Sequence, residues 1–380
     1  MCECKLKRVA RIQFLRSIRS LVLEKSTVSI KLIVCSEFND PISDISESNS
    51  RFSITLSLIG SKSGDNAPIT SQSSFILPIT SCSSNSESSD LRFQLPPGAI
   101  GDGYLTISLL PTSSESRSCS CCISDSVVDG ILVIPIISEV FTILPSDSSI
   151  SGHRTLLGSY RKLNINCQGH NNPGDRDSVI VHEQYGATLG SHLYDSSIIL
   201  LRYFEKQPLF DYDCDNSTKI IVELGAGCGL VGLWCSTVFN NAAVYLTDMI
   251  CQKKIINHNI QVNKQETRCQ FMELEWSGDK HISKLNETIE SSYPSSSIDT
   301  LIATDVLYDR DASKLLFHAI RKLAKPGVTQ VFIAQKLRQN TITDALHVDI
   351  RLEEDFQDVT NVYEEANVIV WKFVLSPNSL

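Results

Sequence analysis

Apolar residues follow two different rhythms along this chain of 380 residues. In the first half, up to about Pro145, short runs alternate apolar and polar positions, which is typical of half-buried β-strands. The clearest runs cover residues 28–34, 52–58, 104–109 and 130–136. The pattern predicts that this half is mainly β.

Serine-rich segments and a basic N-terminus surround these predicted strands. Residues 43–50, 81–89 and 113–120 are polar and rich in serine, and such segments bury too little apolar surface to order a chain. We expect them to be mobile loops. The first twenty residues place six Lys and Arg side chains between apolar ones, which predicts a basic amphipathic helix or a frayed terminus.

The second half alternates strand-like and helix-like segments, as in a parallel α/β sheet with helical crossovers. Strands are predicted at residues 219–224, 243–247, 270–274, 300–304, 329–334 and 368–375, and helices at 196–204, 230–239, 251–263 and 313–323. A terminal hairpin brings the total to seven strands. We therefore predict a β-rich N-terminal domain with serine-rich loops over residues 1–160, a linker over 161–178 and an α/β domain over 179–380.

The first strand of the α/β domain runs directly into a turn with glycines at alternate positions, Gly225, Gly227 and Gly229, around Ala226. Glycine lets the backbone turn tightly and lets a ligand approach, and the following helix offers unpaired N–H groups. Leu230 stands where a dinucleotide-binding turn needs glycine, and no P-loop lysine follows. The spacing favours a methionyl carboxylate and adenosine over a pyrophosphate; the alternative is a tight turn that binds nothing.

Asp248 ends the second strand of the same domain. A carboxylate at the carboxyl end of that strand can accept hydrogen bonds from both hydroxyl groups of a ribose. The alternative is that Asp248 caps the helix predicted at 251–263. A ribose contact agrees with the nucleoside that the glycine spacing favours.

Several short motifs occur in an order and spacing that resemble methyltransferase family 16. They are, in chain order, Glu223 to Gly229, Asp248, Asn259-Ile-x-x-Asn263, Leu274-Glu-Trp276 and Ala303-Thr304-Asp305-Val-Leu-Tyr308-Asp309. The resemblance covers roughly residues 179–375, about half of the chain. It implies a Rossmann-like seven-stranded class I sheet and an S-adenosylmethionine-dependent methyltransferase. Family members are mostly lysine methyltransferases of non-histone proteins, so the resemblance also implies a protein substrate.

The resemblance implies roles for individual residues. Glu223 would bind near the methionyl amine, and Trp276 would lie near the adenine. Asp305 and Tyr308 would face the acceptor, and Tyr194 stands where the family has a Trp that packs at the cofactor. The predicted cofactor contacts are thus Tyr194, Glu223, Gly225, Ala226, Gly227, Gly229, Asp248, Trp276 and Thr304, and the predicted catalytic residues are Asp305 and Tyr308.

Structural alternatives stay open for the two aromatic residues among these. Trp276 fits core packing as well as a cofactor contact, and Tyr308 fits packing beneath its own loop, because buried aromatic side chains are usually structural. Asp305 follows the strand predicted at 300–304. It is therefore expected at the carboxyl edge of the sheet, where ligands of open α/β folds bind.

Other functions make different demands on the same segments. Nucleic-acid amino-methyltransferases carry Asp/Asn-Pro-Pro-aromatic after the fourth strand to stack a flipped base, whereas Asp305 to Tyr308 contains no proline. The formal charge of −9 and the pI of about 5.4 also disfavour nucleic-acid binding. A small-molecule methyltransferase and an inactive methyltransferase-fold adaptor remain alternatives.

Composition limits the compartment and the cofactors. No long apolar stretch indicates a membrane span, and thirteen cysteines without a signal peptide indicate reduced thiols. We expect a monomer that does not bind a membrane and that is located in the cytoplasm, with the nucleus as an additional location. The Cys119, Cys121 and Cys122 cluster lacks a second pair at zinc-like spacing, so no metal is expected.

Overall fold

The structure of this chain is a computed structural model. Before residue 188 it describes fourteen strands, and after it residues 188–210, 217–337, 350 and 353–377. The chain divides into two compact units: residues 1–164 with 180–187, and residues 165–179 with 188–380. The linker predicted at 161–178 stays a prediction, because residues 165–177 lie outside the described part.

The described residues of the first unit form β-strands, as the alternating pattern predicts. They are β1 (Arg8–Phe14), β2 (Leu21–Val22), β3 (Thr27–Cys35), β4 (Arg51–Ile59), β5 (Ser71–Leu77), β6 (Ile79–Ser84), β7 (Ser89–Gln94), β8 (Gly101–Leu110), β9 (Val127–Val128), β10 (Ile131–Ile134), β11 (Ile136–Ile137), β12 (Phe141–Leu144), β13 (Gly158–Asn164) and β14 (Ser178–Gln184). One sheet has the order β6-β7-β3-β1-β10-β9. The other has the order β14-β13-β11-β8-β12-β2, with β4 paired to β8 and to β5.

Two expectations for this unit are wrong. The basic N-terminal segment contains strand β1, not a helix, because β1 pairs in parallel with β10 and antiparallel with β3. The serine-rich segment 81–89 is not wholly a loop, since β6 and β7 pair across it and both strands gain backbone hydrogen bonds. The other serine-rich segments and the Cys119 cluster lie outside the described residues.

The second unit is an α/β domain with one seven-stranded sheet. Its strands are β15 (Lys219–Leu224), β16 (Ala242–Asp248), β17 (Cys269–Glu273), β18 (Thr300–Thr304), β19 (Gln330–Lys336), β20 (Phe356–Glu365) and β21 (Val368–Leu375). Its helices are α1 (Asp195–Lys206), α2 (Leu230–Val238), α3 (Lys253–Val262), α4 (Asp279–Ser292) and α5 (Arg310–Leu323). Short 3₁₀ turns cover Leu189–Ser191 and Ile250–Gln252.

The strand order is β17-β16-β15-β18-β19-β21-β20, in which β15 to β19 are parallel and β21 is antiparallel to both of its neighbours. The order reverses between β15 and β18, which pair with Leu224 opposite Ala303. In open α/β sheets, ligands bind outside the carboxyl ends of the strands at such a reversal. The fold therefore defines one edge and one position where a site is expected.

The two faces of the sheet are covered by different helices. Ile220, Val222 and Leu224 point to one face and share a buried cluster with Leu285 of α4 and Leu316 of α5. Burial of each such side chain stabilises the fold by roughly 1.5–3 kcal/mol. This packing fixes the strand ends from which the site is built.

Aromatic side chains fill the opposite face of the sheet. The ring of Phe204 in α1 lies 5.2 Å from that of Phe332 in β19 and 6.1 Å from that of Trp234 in α2. None of the helices in the described part of the chain is long and apolar enough to cross a membrane.

The sequence pattern predicts this domain closely but misses one helix. Strands β15, β18 and β21 have the predicted bounds, and the other predicted strands and helices differ by at most three residues at either end. Helix α4 is absent from the prediction because Ile282, Leu285 and Ile289 are its only apolar residues, and they form a narrow buried stripe in a polar segment. The first strand of the terminal hairpin, β20, is a largely exposed edge strand.

Candidate functional site

The turn between β15 and α2, residues 225–229, is built from backbone that only glycine adopts easily. Gly225, Gly227 and Gly229 have φ of +67°, +56° and +81°, in the left-handed region that side chains disfavour. A Cβ on Gly227 would lie 2.9 Å from the carbonyl oxygen of Gly190. We call residues 225–229 the glycine turn, and both its φ angles and its packing require glycine.

Asp248 holds the glycine turn from the end of β16. Its Oδ2 accepts the backbone N–H of Gly227 at 2.8 Å, and its Oδ1 accepts that of Met249 at 2.7 Å. Ala226 adds a bond from its N–H to the carbonyl of Thr247 at 3.0 Å. Burial raises the pKa of Asp248, while the two N–H donors lower it.

Glu223 lies beneath the same turn and is only 1% exposed. Its Oε2 accepts the N–H of Gly232 in the first turn of α2 at 2.8 Å. Burial raises the pKa of Glu223 to about 8; the Gly232 bond opposes the shift and the charge of Asp248 adds to it. The carboxyl group thus supports the helix start from inside the protein.

Residues outside the predicted set brace the glycine turn. The Nδ2 of Asn259, which is fully buried on α3, donates to the carbonyl of Cys228 at 2.9 Å. Gln252 donates to Thr188 Oγ1, and a Cβ on Gly190 would collide with the amide of Gln252. Asn259 belongs to a motif of the sequence, whereas Gln252 carries no signal of its own.

Of the two aromatic residues predicted to contact the cofactor, Trp276 lies against the glycine turn and Tyr194 lies at the start of α1. Trp276 is half-buried, and a Cβ on Gly225 would lie 3.1 Å from its ring. Tyr194 begins α1 as its N-cap, and its hydroxyl donates to the carbonyl of Leu189 at 2.7 Å. Thr304 is the last residue of β18, the strand next to β15.

A second turn, residues 305–308, follows β18, and we call it the Asp305 turn. Asp305 has φ of +57° and donates its N–H to the carbonyl of Ala334 at 2.8 Å. Its Oδ1 accepts a bond from Gln335 Nε2 at 2.8 Å. Tyr308 is 59% exposed, so packing of its ring beneath the loop does not occur.

The two turns touch each other. A Cβ on Gly225 would lie 3.0 Å from Cγ1 of Val306, and the turns follow the adjacent strands β15 and β18. Parallel neighbouring strands end at the same edge, which is why side chains about eighty residues apart in sequence meet here. The structure therefore brings the glycine turn, Asp248, Trp276, Thr304 and Asp305 to one edge of the sheet.

The residues at this edge fit the chemistry of S-adenosylmethionine. Helix α2 starts at the glycine turn with no side-chain cap and no acidic residue of its own in the first turn. Glu223 accepts the N–H of Gly232 from beneath, and the positive end of the helix dipole suits a carboxylate. Asp248 uses two of about four carboxylate acceptor positions, which leaves others for a ribose diol. Trp276 offers a partly exposed ring. The glycine turn, Asp248 and Trp276 are the residues that would hold the cofactor.

Numbered within the domain, the strand order is 3-2-1-4-5-7-6, with a glycine turn after strand one and a carboxylate after strand two. This combination defines the class: a Rossmann-like, seven-stranded S-adenosylmethionine-dependent methyltransferase.

Comparisons with known proteins identify the family. The model of a family described as lysine methyltransferase matches residues 174–347. "EEF1A lysine methyltransferase 3" of Xenopus tropicalis is 30% identical over 195 residues, which cover 50% of this chain and 79% of that protein. The Mus musculus protein of the same name is 25% identical over 194 residues, 48% of this chain and 75% of that protein. The chain belongs to the lysine methyltransferase family, and its cofactor is S-adenosylmethionine.

Solved methyltransferase structures match at low similarity. An O-methyltransferase family protein from Burkholderia thailandensis has 14% identity and a TM-score of 0.32, over 42% of this chain and 52% of that chain. Human N-acetylserotonin methyltransferase in complex with SAM has 15% identity and a TM-score of 0.30, over 47% and 54%. The present chain thus spans about half the length of these solved chains. The fold class follows from the strand order of the sheet and not from these matches.

Proposed function

We propose that this chain is a protein-lysine N-methyltransferase that acts on a non-histone protein, and that EEF1A is the first substrate to test. The observation that carries the proposal is the contact between the glycine turn and the Asp305 turn at the reversal of the strand order. Asp305 and the exposed ring of Tyr308 belong to the turn that contacts the residues predicted to hold the cofactor, which supports the proposal. The names of the two curated relatives support EEF1A as the candidate.

In this proposal the cofactor residues divide the ligand between them. Gly225, Ala226, Gly227 and Gly229 line the methionyl group, the positive end of the α2 dipole attracts its carboxylate, and Asp248 accepts the ribose hydroxyls. Trp276 packs against the adenine, while Tyr194 and Thr304 line the space between the turns. Glu223 supports the methionyl amine from beneath the turn, through the backbone that it holds. Bound S-adenosylmethionine supplies an electrophilic methyl group on its sulfonium.

In this proposal, Asp305 and Tyr308 bind the charged group of the substrate lysine and fix its position. A lysine side chain arrives as an ammonium ion, and the Asp305 carboxylate orients it while its proton leaves to water or to that carboxylate. The face of Tyr308 adds a cation–π contact of roughly 0.5–2 kcal/mol. The deprotonated amine would then accept the methyl group that S-adenosylmethionine supplies, with the neutral thioether as the leaving group. Alignment of the two reacting atoms is the main task of the protein.

We further propose that the enzyme works as a monomer in the cytoplasm, or also in the nucleus, where an intracellular protein substrate meets it. The negative formal charge of the chain suits a basic patch around the target lysine.

The proposal is tested by incubating the full chain with methyl-labelled S-adenosylmethionine and purified EEF1A, followed by identification of the labelled side chain. We expect label on lysine. Asp305→Asn keeps the shape and tolerates the left-handed backbone, and it should lower kcat/KM about 100-fold without changing the cofactor Kd.

Asp311→Asn is the matched control, because Asp311 lies six residues further on with a side chain 87% exposed. It should leave turnover unchanged. Label on a small molecule, or no cofactor uptake in calorimetry, would contradict the proposal. Full turnover by Asp305→Asn would remove the role of Asp305 alone.

A further inference from the structure

Gln335 lies directly behind the Asp305 turn, near the end of β19, and is fully buried. Its Nε2 donates to Oδ1 of Asp305 at 2.8 Å, and its Oε1 accepts the backbone N–H of Leu307 at 2.9 Å. One side chain thus binds both the carboxylate and the backbone on either side of Val306. No motif of the sequence includes this residue.

Gln335 lies on one face of β19, in a row of side chains that are otherwise apolar. Val331, Ile333 and Gln335 alternate along β19, and the first two share the buried cluster with α5. A buried amide costs free energy unless its donors and acceptor are paired, so an apolar residue would be the simpler choice for packing alone. Both ends of the Gln335 amide are paired, and one partner is the carboxylate predicted to meet the acceptor.

The amide of Gln335 is held in one orientation. A flipped amide would turn its oxygen toward the Asp305 carboxylate and its NH₂ toward the N–H of Leu307, and both contacts would then be repulsive. Asp305 is also fixed through its own N–H, which donates to Ala334. Two successive residues of β19 therefore set the conformation of the Asp305 turn.

Other charged groups near this turn have separate partners. Lys336, the next residue on β19, pairs with Asp195 of α1 on the opposite face of the sheet. Asp309 caps α5 by accepting two of its backbone N–H groups. Within the described residues, Gln335 is a neutral side chain that donates a hydrogen bond to the Asp305 carboxylate.

We propose that Gln335 is a positioning residue for methyl transfer, which keeps the Asp305 carboxylate ionised and aimed at the acceptor ammonium. An N–H donor favours the charged form of a carboxylate. The inference rests on the proposed function, because it requires Asp305 to meet the acceptor.

The test is Gln335→Glu, assayed with EEF1A and S-adenosylmethionine from pH 6 to pH 9. Glutamate has the same length and still accepts the Leu307 N–H, but it presents an oxygen to Asp305. Two facing carboxyl groups then retain one shared proton to higher pH. The ratio of wild-type to variant kcat/KM should fall about ten-fold between pH 6 and pH 8, with the cofactor Kd unchanged.

A second readout does not depend on turnover. The folded variant retains a proton that the unfolded chain loses, so its stability falls as pH rises through this window. The difference in melting temperature between wild type and Gln335→Glu should therefore grow from pH 5 to pH 8.

Gln265→Glu is the matched control, since Gln265 is a buried glutamine bonded to Thr237 and Arg268 before β17. It should give ratios independent of pH. If Gln335→Glu does not fold, Gln335→Met keeps the volume without donor or acceptor, and it should lose about ten-fold in turnover at unchanged cofactor Kd.

A pH-independent ratio for Gln335→Glu, or wild-type turnover by Gln335→Met, overturns the role of Gln335 while the proposed function stands. Absence of lysine methylation by the wild-type protein overturns the proposed function itself and the role of Gln335 with it.

Discussion

The two turns of the site both contain left-handed backbone, but different residue types adopt it in each turn. The glycine turn takes left-handed backbone at Gly225, Gly227 and Gly229, whereas the Asp305 turn takes it at an aspartate. The glycine turn presents bare main chain, and the carboxyl groups of Glu223 and Asp248 hold that main chain in place through its N–H groups. The Asp305 turn instead presents side chains.

In the proposed function, this difference follows from what each turn has to meet. A cofactor of constant shape can be bound by backbone groups, for which glycine is needed because a side chain would collide with the walls of the turn. An acceptor differs from one substrate to another and carries charge, so the second turn needs a carboxylate and a ring. Asp305 therefore adopts a strained, left-handed backbone conformation, and hydrogen bonds with Ala334 and Gln335 of the adjacent strand β19 hold it there.

The largest expected effect comes from Gly227→Ala, which tests whether the glycine turn depends on its backbone. The new Cβ would have to adopt φ near +56° and would lie 2.9 Å from the Gly190 carbonyl. A left-handed side chain alone costs roughly 1–2 kcal/mol. We expect calorimetry to show a cofactor Kd raised at least about 100-fold, because the turn must move to relieve the contact.

Gly327→Ala is the control for that variant. Gly327 has φ of +68°, but the nearest atom to its Cβ is Pro377 Cγ at 3.7 Å, and it lies outside both turns. It should lower stability by about 1 kcal/mol and leave cofactor binding intact. Equal cofactor affinities in the two variants would show that the close approach at Gly227 is unimportant.

A smaller effect is expected in the Asp305 turn, where Tyr308→Ala should lower kcat/KM for the protein acceptor by about 2- to 30-fold. The cofactor Kd should not change, because the ring is 59% exposed and lies beyond the glycine turn. Tyr308→Phe keeps the aromatic face and should retain most turnover. Leu315→Ala, at a side chain 41% exposed on α5, is the control. A Tyr308→Ala enzyme as active as that control would exclude the cation–π contact.

The remaining expected effect is on stability instead of turnover, at the buried carboxyl group beneath the glycine turn. With a pKa of about 8 in the folded state and 4.5 as its ordinary value, Glu223 keeps a proton that the unfolded chain loses. Stability from this group is complete below pH 4.5 and is lost as pH rises toward 8. Glu223→Gln cannot titrate and still accepts the Gly232 N–H.

The melting temperature of the wild type should therefore fall more between pH 5 and pH 8 than that of Glu223→Gln, by on the order of 10 °C. Tryptophan fluorescence reports the unfolding of the second unit, because all three tryptophans, Trp234, Trp276 and Trp371, lie in that unit. Glu287→Gln, at an exposed carboxylate of α4, should behave as the wild type. Parallel curves for wild type and Glu223→Gln would contradict the raised pKa.

Sequence patterns predict the second unit far better than the first. Continuous apolar strands such as Lys219–Leu224 and Thr300–Thr304 have clear ends because turn residues follow them. Helix α4 escapes prediction because its buried face is narrow. Strand β1 escapes it because its pairing partners are distant in sequence, and local charge pattern carries no information on them.

For the candidate site, the sequence by itself determined the parts that depend on local chemistry. Glycines directly after a strand, and a carboxylate at the end of the next one, specify a nucleoside-binding turn because backbone freedom and charge are properties of single residues. Only the tertiary structure decided how those parts meet. The parallel pairing of β15, β18 and β19 brings Gly225, Asp305 and Gln335 to one edge, and burial turns the Glu223 carboxyl inward and raises its pKa. These results depend on long-range packing, which no local pattern encodes.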